Sequence, residues 1–462
     1  MEAVPETLAL QGAERERLVE LAAAGRALTR GRLLDRVAVW RCKDEALQAC
    51  WRVLPRRPER QLAFESWRAA TPDLEAFASF CALRERHPGD WRAWPAGLRH
   101  PASAELASWR AAYPHEVGYH AYLQWLLDEQ LAATAQRAAG SERLGIVNDL
   151  AVGFDPSGFD AWWAQDELAA GVTVGAPPDA LGPDGQDWAV PAFVPSRLAA
   201  KAYEPFARTL RAGMAHAGGL RLDHVMGLFR LYWIPRGASP SEGTYVRYPS
   251  DDLLGVLALE SRRAGALVIG EDLGTVEPGV RERLAAERVL SYRVVWFERE
   301  AAGRRRAARY PRLALAAVTT HDLPTAPGWL GGDDLRHLAE IGVVPAARLR
   351  AEAERQARER EDLCRLLEAE GVLAPGERSV PEVVAALYAF LARTPAMLVA
   401  ATLEDAVLAP ERPNVPGTSA ERPNWRLTLP VLLDDLWGVE SLQRLLSRNR
   451  LGRKPLSVEP AV

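Results

Sequence analysis

Cysteine is scarce: Cys42, Cys50, Cys81 and Cys364 are the only four in 462 residues. They form no Cys-x-x-Cys pair and no metal-ligand spacing with the eight histidines. Neither a disulfide framework nor a metal site is expected, and a reducing, cytoplasmic setting is. No run of about 18 apolar residues occurs, so no membrane-spanning helix is expected. Residues 1–20 carry charges throughout and lack an apolar centre, so no signal peptide is expected either. Charge of one sign is also missing. With 57 basic and 61 acidic residues the net charge is −4, which gives no general attraction to nucleic acid or to an anionic membrane. No Gly-x-Gly-x-x-Gly follows an apolar run, so the usual dinucleotide fingerprint is absent, and no internal repeat is visible.

What remains is the composition of a globular protein, 48% hydrophobic and 26% charged, long enough to bury a large core. Fifteen tryptophans are many for this length. They suit core packing, but aromatic faces are also platforms for the apolar C–H patches of sugar rings. Residues 1 to about 140 read as mostly helical, with apolar spacing over 32–53 and 116–139 and proline breaks between. From residue 143 the texture changes to strand, loop and helix in repetition. Strands are expected at Leu144–Val152, Leu220–Leu222, Ala266–Glu271, Val289–Phe297, Leu313–Thr320 and Met397–Leu403. The Gly- and Pro-rich stretch from Gly171 to Pro195 reads as a long functional loop, and a second loop is expected through Gly243 and Pro249.

An acid stands at or near the end of five of these strands, at Asp149, Asp223, Glu271, Asp322 and Glu404. Alternation of strands and helices argues for a parallel sheet, and βα barrels carry their active sites at the C-terminal strand ends. Arg221 precedes Asp223 by two, so on a strand both side chains share a face, and a guanidinium there keeps a carboxylate ionised. An ordinary Arg–Asp pair at a strand end would look the same. Three converging carboxylates suggest glycoside chemistry, in which retaining enzymes hold two carboxyls roughly 5–5.5 Å apart as nucleophile and acid/base. Val268-Ile269-Gly270 before Glu271 is an apolar setting suited to keeping that carboxyl protonated. His224 and His321 each neighbour a candidate aspartate.

The chain resembles the 4-α-glucanotransferases known as amylomaltases or disproportionating enzymes, a branch of the α-amylase clan. The segments that carry the likeness are Arg221-Leu-Asp-His-Val-Met-Gly-Leu, Gly270-Glu-Asp-Leu-Gly-Thr-Val, Thr319-Thr-His-Asp-Leu-Pro-Thr, Gly175-Ala-Pro-Pro-Asp-Ala-Leu-Gly-Pro, Asn414-Val-Pro-Gly-Thr and Pro423-Asn-Trp-Arg. The likeness as a whole covers roughly residues 33 to 430. The resemblance implies an α/β (βα)8 TIM-type barrel with helical insertions. It implies Asp223 as nucleophile, Glu271 as general acid/base and Asp322 as transition-state stabiliser, with substrate contacts at Arg221, His224, His321, Asp149, Asp179, Gln186, Trp188 and Asn414. The implied substrates are maltodextrins and other α-1,4-glucans, with no metal or organic cofactor. An α-glucan hydrolase and an inactive glucan-binding relative stay open as alternatives.

Two departures stand out. The first barrel strand is missing or divergent, and so is the Ser-Pro-Tyr segment that follows it in relatives. A start further upstream, a replacement strand over Val4–Gly12 and a degenerate relative all remain open. In the covering loop Gln186-Asp187-Trp188-Ala189 stands where the family has Gln-Asn-Trp-Gly, and Ala189 restricts a backbone that glycine would leave free. The expected organisation is a divergent segment over 1–32, a Trp-rich helical subdomain over 33–140, the catalytic barrel core over 141–435 and a C-terminal helix and tail over 436–462. Oligomeric state is not legible.

Overall fold

The computed structural model describes residues 4–141, 144–178, 184–301, 303–418 and 421–450. The chain divides into two compact units, one formed by residues up to Arg30 with Asp35–Val280, the other by Gly31–Leu34 with the chain from Arg281 onward.

The first unit opens with helices Ala13–Leu28, Arg36–Val53, Pro58–Ala70, Leu74–Arg86, Ala104–Ala112 and Pro114–Ser141. Their starts are written in the sequence. Asp35 accepts the Ala38 N–H at 3.0 Å and Ser103 accepts that of Leu106 at 3.1 Å, each satisfying a donor at a helix N-terminus. Pro58 and Pro114 stand at first helical positions, where a missing N–H costs nothing. Cys50, Val53, Phe64, Tyr122 and Trp125 form the buried centre. Residues 4–12 do not supply a replacement strand: Pro5–Ala9 is a 3-10 helix. Pro5 fixes a helical φ, the Thr7 hydroxyl bonds the Val4 carbonyl, and fully buried Glu6 takes bonds from Arg60 at 2.8 Å and Tyr122 at 2.9 Å.

Three parallel strands follow, with Gly219–Leu222 between Val147–Leu150 and Leu267–Gly270. Asp149 is in register with Arg221, and Leu222 with Gly270. The long loop expected over 171–195 is instead built into a four-stranded antiparallel sheet, in the order Gln186–Val190, Val172–Ala176, Arg230–Pro235, Thr244–Arg247. The second loop, through Gly243 and Pro249, likewise contains a strand. Short strands rich in Gly and Pro read as loops, yet Gly175 is what lets two of them approach. A Cβ there would stand 2.0 Å from the Gln186 carbonyl.

In the second unit Leu290–Val294, Ala314–Ala317 and Leu398–Ala400 are parallel, with Ala314–Ala317 in the middle. Helix Val380–Ala392 is apolar nearly all round and buries Val383, Leu387, Tyr388, Phe390 and Leu391, as a core helix must. The charged helix Ala346–Ala369 buries only Leu363, Cys364 and Leu367. Parallel strands joined by helices make this an α/β fold of TIM-type units with helical insertions. Among the described residues six parallel strands occur, three in each unit, and none precedes Val147. Among those residues no helix is long and apolar enough to cross a membrane.

Candidate active site

In the first unit the three parallel strands bring Asp149, Arg221, Asp223 and Glu271 together at one end. Asp223 follows directly on its strand, where its N–H donates to the Leu150 carbonyl at 2.9 Å. Arg221 donates from Nη2 to Asp223 Oδ1 at 2.9 Å and from Nη1 to Asp149 Oδ1 at 2.5 Å. Burial works against the Arg221 charge, but the two carboxylates outweigh it and raise its pKa. The guanidinium is therefore a fixed cation between two acids.

Glu271 is one residue beyond its strand. Both of its carboxyl oxygens accept backbone bonds, Oε2 from the His224 N–H at 2.9 Å and Oε1 from that of Leu273 at 2.8 Å. Its pKa is nonetheless raised to about 7, chiefly by burial and further by the Asp223 charge, against the pull of those N–H groups and of Arg221. The apolar strand before it produces this setting, as its sequence implies. Asp223 and Glu271 thus differ in environment, one beside a cation and one desolvated, the usual way to separate a nucleophile from an acid.

His224 has a left-handed backbone, φ 46°, which aims its N–H at Glu271. Its ring is neutral at pH 7, because burial and then Arg230 lower its pKa to about 4. The ring meets Trp188 edge to face at 5.1 Å, and Trp188 Nε1 donates to Gln186 Oε1 at 3.0 Å. Ala189 has φ 56°, so the alanine does occupy a conformation that glycine would adopt without strain. Asp179 lies outside the described residues. A cavity of about 300 Å³ adjoins Asp223 and His224 and is walled mainly by apolar groups, among them Phe154, Phe193, Leu198, Phe206 and Tyr248.

The second unit holds His321, Asp322 and Asn414. The Asn414 amide donates to Asp322 Oδ1 at 2.6 Å, and His321 Nε2 lies 3.4 Å from Asp322 Oδ2. Sequence reasoning missed the support behind them. Arg412 donates to the Asp322 carbonyl at 2.9 Å and holds buried Asp334 with two bonds of 2.8 and 2.9 Å. Arg422, also buried, donates to the Arg412 carbonyl and to His337 Nε2. Arg412 stands two residues before the Asn414 motif, a signal that was available; Asp334 has none. Trp425, inside the Pro423 motif, has its ring 5.0 Å from that of His321. Glu404 is not at a strand end. The strand stops at Ala400, and the acid next to Glu404, Asp405, is a core residue that takes bonds from the Ala326 N–H at 2.7 Å and Tyr388 at 2.6 Å.

A family model described as 4-alpha-glucanotransferase matches residues 4–433. The 4-alpha-glucanotransferase of Mycobacterium tuberculosis is 44% identical over 418 residues, 87% of this chain and 58% of the relative. That of Haemophilus influenzae is 34% identical over 389 residues, 82% of this chain and 55% of the relative. The crystal structure of amylomaltase from Corynebacterium glutamicum matches with a TM-score of 0.86 and 35% identity, covering 97% of this chain and 64% of that one. The chain therefore spans less than two thirds of the length of these relatives.

Proposed function

The chain belongs to the 4-alpha-glucanotransferase family, and from that premise we propose that it transfers α-1,4-glucan segments between maltodextrins by a retaining double displacement. Asp223 attacks the anomeric carbon while Glu271 gives its proton to the departing glycosidic oxygen. The 4-hydroxyl of a second glucan then attacks the same carbon, Glu271 takes its proton, and the Asp223 carboxylate leaves. The observation that carries this reading is the contrast between the two acids: Asp223 bonded to Arg221, and Glu271 desolvated to a pKa of about 7. An acid of that strength can serve in both directions near neutral pH.

Asp322 is assigned as the third carboxylate, which steadies substrate hydroxyls in the transition state; the Thr319–Thr325 motif and the Asn414 bond support it. Asp149, Arg221, His224, His321, Asn414, Gln186, Trp188 and Asp179 are assigned to substrate positioning. The motif Gly175–Pro183 is the sole support for Asp179. Four unpaired cysteines suit a cytoplasmic enzyme.

The test is incubation with maltotriose, followed by mass spectrometry, beside an Asp223→Asn control. A ladder of longer maltodextrins with glucose, absent in the control, is expected. Maltose and glucose without a ladder would make the protein a hydrolase, since water can resolve the same intermediate. No turnover by folded protein would refute the enzyme reading.

A further inference from the structure

Trp425 has no task in the reaction written above, yet its backbone is held in an unusual state. Its φ is 58°, the left-handed region, where a bulky residue is an outlier. Several bonds keep it there. The Trp425 N–H donates to the Pro413 carbonyl at 2.9 Å. The preceding Asn424 donates from Nδ2 to the Thr418 carbonyl and hydroxyl, both at 2.9 Å, and its Oδ1 accepts from the Val415 N–H at 3.0 Å and from Arg422 at 3.3 Å. Arg422 in turn grips Arg412, which holds the Asp322 carbonyl.

The outcome of this bonding is an indole that remains 49% exposed, tilted at 49° to the His321 ring. Core packing does not explain it, for tryptophans that pack, such as Trp94 and Trp162, are 2% and 0% exposed. Trp437 is more exposed, at 68%, but sits on ordinary backbone. Strain of this kind persists where the surrounding structure over-determines it, and it collects at functional positions. Beside Trp425 stand the imidazole of His321 and, beyond it, the Asp322 carboxylate and Asn414 amide, groups that bond hydroxyls. An aromatic face next to polar groups matches a sugar ring, which is apolar on its C–H face and polar at its rim.

We propose that Trp425 is a stacking platform for one glucosyl ring of the bound α-1,4-glucan, adjoining His321 and Asp322, and that its left-handed backbone serves to present the indole. The inference rests on the glucan substrate of the proposed reaction and adds a binding residue to it. The alternative, that the ring braces the loop, makes the opposite prediction for glycine, which adopts this φ freely.

The experiment measures maltoheptaose binding by titration calorimetry in the Asp223→Asn background, with Trp425→Gly and Trp425→Phe added, and records Tm for each. Trp425→Gly is expected to weaken binding by about five- to tenfold, the scale of an aromatic contact, while Tm holds or rises as the strain is relieved. Trp425→Phe keeps a ring and is expected to stay within about threefold of the parent. Unchanged affinity in Trp425→Gly would overturn the proposal, and so would Tm falling in step with affinity in both variants. Maltotriose turnover by the unmodified chain separates the two claims. No ladder, but weakened binding in Trp425→Gly, would remove the transferase reading and leave the platform. A ladder with undiminished binding in Trp425→Gly would do the reverse.

Discussion

The turn at His224 is fastened to Glu271 by two successive N–H groups: that of His224 donates to the Glu271 carboxyl Oε2 at 2.9 Å, and that of Val225 donates to the Glu271 main-chain carbonyl at 3.0 Å. The turn leaving the Asp223 strand is thereby fastened to the end of the neighbouring strand. Since Asp223 and His224 are adjacent in sequence, the candidate nucleophile and the candidate acid share one rigid frame.

The first prediction concerns pH. Glu271 is an acid with a folded pKa of about 7 against an ordinary 4.5. Activity requiring its proton should fall as pH rises through about 7, and kcat/KM followed from pH 5 to 9 should show that alkaline limb. Stability has a matching sign. Between 4.5 and 7 the folded state holds a proton that the unfolded state has lost, so this group's penalty grows with pH and is complete above 7. Glu271→Gln removes a penalty of about 3 kcal/mol, less what its amide loses facing a backbone N–H. Its Tm relative to the parent should be higher at pH 8 than at pH 5. An unchanged difference across that range would show Glu271 to be an ordinary carboxylate.

Arg221 serves two acids through two separate nitrogens, and Lys cannot. Arg221→Lys should lower kcat by about 100-fold, the cost of a reacting group displaced by about an ångström, with little change in Tm. Asp149→Asn, which keeps one acceptor for Arg221, should be milder by about tenfold. Initial rates with maltotriose decide it, and Arg221→Lys within threefold of the parent would mean that the fork does not hold Asp223.

How much of this was legible beforehand depends on the range of the interactions. The parallel strands were readable, and so were Asp149, Asp223 and Glu271 at their ends, because an apolar run closed by a charge is a local pattern; Asp322 lies five residues beyond its strand, which stops at Ala317. The desolvation of Glu271 could also be read, from the Val-Ile-Gly before it. The antiparallel sheet could not. Its strands Val172–Ala176 and Thr244–Arg247 are short, and the pairing that joins its two halves, Val172–Ala176 with Arg230–Pro235, links residues far apart in the chain, such as Val172 with Pro235. The Arg412–Asp334 pair joins positions 78 residues apart, so no local pattern announces Asp334. Glu404 misled for a related reason: an acid near a strand end in sequence says nothing about burial, and Asp405 took the structural place.

That missed pair supplies the third prediction. Asp334→Asn leaves the buried Arg412 cation with a weakened partner and should cost roughly 3 kcal/mol, toward the low end for a broken buried pair because the amide oxygen still accepts. Adding Arg412→Met removes the stranded charge, so the double variant should be more stable than Asp334→Asn alone. Its activity should stay low, since the Asp322 carbonyl has lost its donor. Urea unfolding together with maltotriose rates reads both effects. A double variant no more stable than the sum of its single changes would show that Arg412 and Asp334 are not coupled.

Gly175 offers a test of the sheet that carries Gln186 and Trp188. An added methyl would stand 2.0 Å from the Gln186 carbonyl and 2.7 Å from Ile234 Cδ1, and a backbone carbonyl cannot swing aside as a side chain does. Gly175→Ala must push the paired strand away, at a cost of about 1–3 kcal/mol. Because that strand holds Trp188 against His224, KM for maltotriose should rise along with the loss of Tm. Gly255 is the control. It lies within helix Ser250–Ala264 with nothing within 4 Å of an added Cβ, so Gly255→Ala should stabilise by about 0.5–1 kcal/mol and leave KM alone. Equal effects of the two substitutions would contradict the close approach at Gly175, whereas opposite signs in Tm, with KM moving only in Gly175→Ala, would tie the antiparallel sheet to substrate binding.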